Sequence, residues 1–199
     1  MNISKKNQNK GLVIILSAPS GGGKSSITKT LLRKDNKLIT SVSVTTRKPR
    51  PNDIEGVEYF FTSRDKFKKM VSNNELLEYC EIYNNLYGTP KKFIETQLKL
   101  KNTIIFDIDS KGTSKLKNIL QNLVISIFIL PPSIKELRKR LQARNQDCLE
   151  EIERRVNLAL GEIEQAKNYD YIVTNDNFVK SVETIYNLIK TERAKRGLA

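Results

Sequence analysis

An apolar run, Leu12 to Ser17, leads through Ala18-Pro19-Ser20-Gly21-Gly22-Gly23-Lys24-Ser25 into a stretch that reads as helix from Lys24 to about Lys34. No other feature constrains the chain as much. The run carries β-branched residues and stops at Pro and Gly, which marks a buried strand. Glycines in such a turn let backbone N–H groups converge on an anion with no Cβ in the way. The helix that follows adds the positive end of its dipole. Strand, Gly-Lys-Ser loop and helix in this order make a phosphate-binding loop, with Ala18 to Ser25 around the phosphates of a nucleoside triphosphate. Lys24 is placed to reach the β- and γ-phosphates, and the Ser25 hydroxyl to meet Mg2+. The strict pattern has Gly where this chain has Ala18. Ala18 precedes Pro19, and a residue before proline is driven to extended backbone, so a positive φ is not needed there.

The rest of the chain alternates. Ile39 to Val44 is expected as a second strand, leading through Thr45 and Thr46 into a loop rich in Pro and Arg, Arg47 to Pro51. Glu58 to Phe61 reads as a short strand, and Ser63 as the N-cap of a helix to about Ser72. Leu76 to Tyr87 has a hairpin pattern with Asn84-Asn85 at its turn. Thr89 followed by Pro90 predicts a helix with proline in its first position. Thr103 to Ile108 is an apolar strand running into Asp107 and Asp109. Leu123 to Leu130 is another, stopped by Pro131-Pro132. Ser133 to Glu136 fits a capping box opening a helix through Arg144. Leu149, Ile152, Val156, Leu160 and Ile163 follow helical spacing. Tyr171 to Thr174 is a last strand and Phe178 to about Arg193 a last helix. This alternation predicts an α/β domain with a largely parallel core sheet.

Composition narrows the chemistry. The 199 residues suit one domain and include no histidine, which excludes a His-based triad and a His zinc site. Two cysteines, Cys80 and Cys148, in unlike contexts suggest a reducing compartment rather than a disulfide scaffold. No apolar run approaches the length of a membrane span, so a cytoplasmic protein is expected. The net charge of +13 has three readings: lysines spread over solvated helices, a nucleic-acid surface, or service to phosphate-rich small molecules. The lysines form no dense tract, so no specific nucleic-acid partner is expected.

Arg47 and Arg50 in a proline-stiffened loop form two guanidinium forks of the kind that hold a phosphate; a solvated basic loop is the other reading. Around them the chain closely resembles the guanylate kinases. That family carries Ser-x-Thr-Thr-Arg-x-Pro-Arg, then Gly-x-x-Tyr, a Glu, Tyr-Gly-Ser/Thr and an Asp-Ile-Asp strand. Here these are Ser43 to Arg50, Gly56 to Tyr59, Glu78, Tyr87-Gly88-Thr89 and Asp107-Ile108-Asp109. Ile129 to Ser133 and Ile172 to Asp176 continue the likeness, which runs from about Leu12 to Arg193. It departs where the family often has Gly-Arg-Gly and this chain has Ala143-Arg144-Asn145.

The resemblance implies a P-loop kinase fold with a mobile GMP-binding subdomain at about 43–90 and a lid at about 140–155. Residues 11–193 would form the domain, with a basic tail at 1–10 and a C-terminal tail at 194–199. It implies transfer of the γ-phosphoryl group of ATP to GMP, and to dGMP, with Mg2+. Arg47, Arg50, Tyr59 and Tyr87 would hold the GMP phosphate. Ser43 and Glu78 would read guanine beside Gly88 and Thr89. Asp107 would line the GMP site and order Mg2+ waters, while the role of Asp109 stays open. Lys24 and Arg47, with Arg140, Arg144 and Arg155 from the lid, would be the catalytic cations; Arg140 and Arg144 share a helix face. The alternative is a non-catalytic guanylate-kinase-like module that binds phosphopeptides. Such modules typically have degraded phosphate loops, and this chain keeps Lys24 and Ser25. Oligomeric state is not legible.

Overall fold

The computed structural model describes residues 10–51, 53–82, 84–108, 110–143 and 148–198. Five parallel strands form the core sheet: β1 (Leu12–Ser17), β2 (Leu38–Thr40), β7 (Thr103–Asp107), β8 (Val124–Leu130) and β9 (Tyr171–Thr174), in the order β2-β7-β1-β8-β9. β1 is central and wholly buried. Its alternating side chains feed two cores. Leu12, Ile14 and Leu16 pack with Ile27 and Leu31 of α1 (Lys24–Lys34) and with Val182, Ile185 and Ile189 of α7 (Phe178–Lys195). Val13 and Ile15 pack with Ile94 and Leu98 of α3 (Lys91–Lys99) and Leu116 of α4 (Ser110–Leu120). Each fully buried Leu or Ile contributes roughly 1.5–3 kcal/mol, so this doubly covered sheet is the rigid part of the molecule. All five strands point their C-terminal ends to one edge, where the phosphate loop leaves β1.

A second sheet has the order β4-β3-β6-β5, from β3 (Ser43–Thr45), β4 (Tyr59–Phe61), β5 (Leu76–Ile82) and β6 (Asn85–Pro90). Its own small core joins Val44, Leu76 and Phe67 of α2 (Arg64–Ser72). Two further helices, α5 (Ile134–Ala143) and α6 (Leu149–Glu164), pack on each other through Leu137, Leu141, Ile152, Val156 and Ala159.

The structure corrects several expectations. Ile39 to Val44 is not one strand: β2 ends at Thr40 in the core sheet and β3 begins at Ser43 in the second. Strand-forming residues run through both, so local pattern carries no sign of the break. Pro90 is the N-cap of α3 rather than its first residue, because it still pairs across from Leu76. α4, between β7 and β8, had no expectation. On α6 the buried stripe is Ile152, Val156 and Ala159, while Leu149 and Leu160 are 71% and 47% exposed. α7 runs to Lys195 and Leu198 is buried in the core, so 194–198 is no tail. The Ser133 cap forms, its Oγ accepting from Glu136 N at 3.1 Å, but the reciprocal half does not: Glu136 instead accepts from Arg140 Nε.

Candidate functional site

The loop after β1 turns on glycines with positive φ, 89° at Gly21 and 96° at Gly23. A Cβ on Gly23 would lie 2.4 Å from the Asn175 amide nitrogen, so glycine is needed there for space as well as conformation. Ala18 is not among the residues with positive φ, as its place before Pro19 requires. Asn175 follows β9 and is only 4% exposed. Its amide donates to Gly22 O at 2.9 Å, and its own carbonyl accepts from Arg140 Nη2 at 3.1 Å. Leu137 and Leu141 of α5 lie against Gly21. The loop is therefore braced from below by α5 and the end of β9.

Above the loop is a cleft of about 340 Å³ lined by Ala18 to Gly21, Gly23, Lys24, Ser25, Asp107 and Glu162. Asp107 ends β7 and is paired in register with Leu16 of β1, which sets its carboxylate beside the loop. It binds Lys24 Nζ at 2.5 Å. Next to this cleft, Ser20, Glu151, Arg154, Arg155, Leu158 and Glu162 surround a second space of about 520 Å³. Arg155 reaches across from α6, donating to Ser20 Oγ at 3.3 Å and to Glu151 Oε1 at 3.2 Å. Hydrogen bonds from Arg154 and then Arg155 pull the Glu151 carboxyl down to about 2.

The second sheet presents one polar face. The Arg47 guanidinium lies over the rings of Tyr59 and Phe61, with centroids 5.2 and 5.7 Å away, and Tyr59 meets Tyr87 edge-on at 5.8 Å. On the neighbouring strand Thr89 donates to Glu78 Oε1 at 2.9 Å, which orients that carboxylate. Ser43 pairs in register with Tyr59, and Thr45 with Tyr87. Burial raises the Tyr59 pKa, and Tyr87, Asp107 and Asp53 raise it further against the opposing pull of Arg47.

Lys24, Ser25 and Asp107 thus share one cleft, and Arg47, Tyr59, Tyr87, Thr89 and Glu78 share one wall of the second sheet. Two residues differ from expectation. Gly88 faces away: a Cβ there would come 2.7 Å from Leu76 and 3.0 Å from Phe67, so it is the place where α2 closes on the sheet. Arg140 is committed to Asn175 and Glu136 and braces the loop rather than facing the cleft. Arg144 and Asp109 lie outside the described residues. Sequence reasoning also missed Asn175 as a brace. It missed Asp53 as well, whose Oδ2 accepts from Arg47 Nη2 at 2.7 Å and from Arg50 N at 2.8 Å. The motif pattern contains Asn175 without a role and does not contain Asp53; only the fold brings either to its partner.

The fit with known proteins is extensive. The guanylate kinase family model matches residues 10–192. The guanylate kinase of Rickettsia prowazekii (strain Madrid E) is 50% identical over 190 residues, 96% of each chain. That of Wolbachia sp. subsp. Brugia malayi (strain TRS) is 44% identical over 190 residues, 96% of this chain and 97% of its own. The crystal structure of guanylate kinase from Anaplasma phagocytophilum superposes with a TM-score of 0.74 at 32% identity, covering 92% of this chain and 87% of that one.

Proposed function

Because the chain belongs to the guanylate kinase family, and is thereby an ATP:GMP phosphotransferase, we propose that its phosphate-loop cleft and the Arg47 wall of its second sheet are the two subsites of that transfer. The observation that carries the assignment is the position of Asp107. It ends a core strand, lines the phosphate-loop cleft and holds the phosphate-loop lysine at 2.5 Å. A triphosphate on the loop and a monophosphate on the Arg47 wall would then meet over Asp107.

Phosphoryl transfer needs in-line placement and neutralisation of spreading charge, with little covalent work for the protein. The attacking atom is a phosphate oxygen of GMP, so no nucleophilic side chain is required. Lys24 would exchange the Asp107 carboxylate for the β- and γ-phosphates, leaving Asp107 to order water. Arg47, Arg50, Tyr59 and Tyr87 would hold the GMP phosphate. Arg155 reaches the phosphate loop already, at Ser20, and would carry its charge to the transferring group.

Glu78 and Ser43 would read guanine. An ionised carboxylate only accepts, which suits the two donors of guanine, N1–H and N2–H2. The Ser43 hydroxyl can donate to O6. Adenine offers this carboxylate a lone pair in place of N1–H.

Mg2+ is the proposed metal. Ser25 and Asp107 line the same cleft, and no cluster of three or more acidic, Cys or His ligands occurs among the described residues. That donor set fits an ion held mainly by phosphate oxygens and water, as Mg2+ prefers. When bound it would neutralise charge on the phosphates.

Closure of residues 43–90 and 140–155 over the core sheet would exclude water and prevent hydrolysis of ATP. The +13 charge is read as service to phosphate ligands and solvated helices, with no specific nucleic acid. No helix of the described residues is long and apolar enough to cross a membrane.

A coupled assay with ATP and GMP, dGMP, AMP, CMP or UMP tests the reading. Turnover should be confined to GMP and dGMP. Equal use of AMP would overturn the guanine assignment.

A further inference from the structure

We propose that Asp53 is a positioning residue for the phosphate of GMP, an inference that rests on the assignment of Arg47 and Arg50 to that phosphate. Arg47 sits on a long, rotatable stem in a loop, and Arg50 lies three residues further along the same loop. Two such cations repel one another and are poorly placed unless something holds both. One oxygen of Asp53 holds the side chain of the first and the main chain of the second. Oδ2 accepts from the Arg47 side chain at 2.7 Å and from the Arg50 main chain at 2.8 Å. It thereby ties the orientation of the first arginine to the backbone course of the second.

The pair is not a loose surface contact of the kind that contributes little. The Arg47 and Asp53 side chains are 14% and 13% exposed. The guanidinium is fixed on its other sides by the Lys48 carbonyl, which accepts from Nη1 at 3.0 Å, and by the Tyr59 and Phe61 rings. The Arg50 N–H holds the Asp53 carboxyl below its ordinary value, against the effect of burial, and Arg47 adds to this. The group is therefore a carboxylate at neutral pH.

A carboxylate beside an anion site could also compete with the anion. Positioning is favoured because a guanidinium has five N–H donors in a rigid fork. Asp53 and Lys48 O take one each. The rest of the fork stays available to phosphate in an orientation that the two bonds and the two rings fix.

The test uses the full chain with Asp53→Ala, Asp53→Asn and Asp53→Glu, alone and on an Arg47→Ala background. Steady-state kinetics is paired with calorimetric binding of GMP and of guanosine, which lacks the phosphate. Asp53→Ala should raise KM and Kd for GMP about tenfold, the usual size of coupling between contacting groups. KM for ATP and guanosine binding should stay close to wild type. Asp53→Glu should recover most of the loss, and Asp53→Asn, which keeps the shape without the charge, only part of it. Removing Asp53 should add little once Arg47 is gone. A lower KM for GMP in Asp53→Ala would mean competition and would overturn the proposal. So would an equal loss for guanosine, which would mean that the loop had simply come apart. If Arg47→Ala leaves GMP binding intact, the phosphate assignment itself fails. If Arg47→Ala weakens GMP binding and Asp53→Ala does not, Asp53 alone loses its role.

Discussion

Lys24 and Asp107 are both partly exposed, at 22% and 37%, and are bound to each other at 2.5 Å. An ion pair so open to solvent adds little to stability, so its members can be changed with small effect on the fold. Lys24→Ala should therefore melt near the wild-type temperature. Its kcat should fall by two to three decades, the usual loss of about 2.7–4 kcal/mol for one transition-state contact; single-turnover kinetics beside a thermal melt checks both. Glu78 makes the opposite kind of prediction, about choice rather than rate. In Glu78→Gln one acceptor becomes a donor, while Thr89 can still donate to the remaining carbonyl. GMP use should drop steeply and the GMP:AMP ratio of kcat/KM should narrow. A site with mispaired polar groups can reject the wrong ligand by up to ~10⁴–10⁵, so the narrowing is readable over a wide range. An unchanged ratio would place guanine recognition elsewhere.

At the scale of elements, the Arg47 wall depends on α2, which contributes no group to it. Phe67 is fully buried, and Gly88 exists to let it approach β6. Phe67→Ala should destabilise the second sheet by about 3–5 kcal/mol. It should raise KM for GMP more than KM for ATP, because the phosphate loop stands on a separate core. A melt followed by kinetics with each substrate varied in turn distinguishes this from general unfolding. α6 carries the arginine assigned to the transferring group. Its first turn is anchored by Glu151, on which Arg154 and Arg155 both converge. Arg155→Ala should lower kcat more than it raises KM for GMP, the mark of a contact made in the transition state. An unchanged kcat would remove Arg155 from the chemistry.

For the whole molecule, the closing contact is made by the end of α7. Glu192 is 4% exposed and accepts from Tyr171 on β9, from Lys195 on its own helix and from Arg196 at the C-cap of that helix. Burial works to raise its pKa, but the hydrogen bonds from Lys195, Arg196 and Tyr171 win and bring it to about 2, from an ordinary 4.5. A carboxyl with a depressed folded value contributes its stability fully above the unfolded value. It loses that stability as pH falls through the folded one. The melting temperature should thus decline between pH 4.5 and about 2. Glu192→Gln should melt lower at neutral pH and show a shallower decline over that window. An identical acid profile in the variant would assign the decline to other carboxylates.

What the sequence determined by itself is local. The phosphate loop was legible because strand, Gly-Lys-Ser and helix are contiguous, and because backbone sterics at Ala18-Pro19 are settled by neighbouring residues alone. The Ser63 cap was legible for the same reason, and the turn expected at Asn84-Asn85 only in part: Asn84 has φ 63°, but Asn85 already pairs with Ile82 in β6. The order of motifs named the family, and with it the expected place of Arg47, Tyr59 and Glu78. Tertiary structure decided whatever needed a partner distant in the chain. Nothing in Ile39 to Val44 tells which sheet will pair with each half, since pairing energy resides in the opposing strand. The face of Gly88 depends on Phe67, 21 positions away in the numbering. The burial of α6 depends on α5 offering only a narrow seam. The commitment of Arg140 to Asn175 spans 35 residues. Asp53 is the instructive case: it lies six residues from Arg47, yet only the folded loop, stacked on Tyr59 and Phe61, turns that spacing into a clamp.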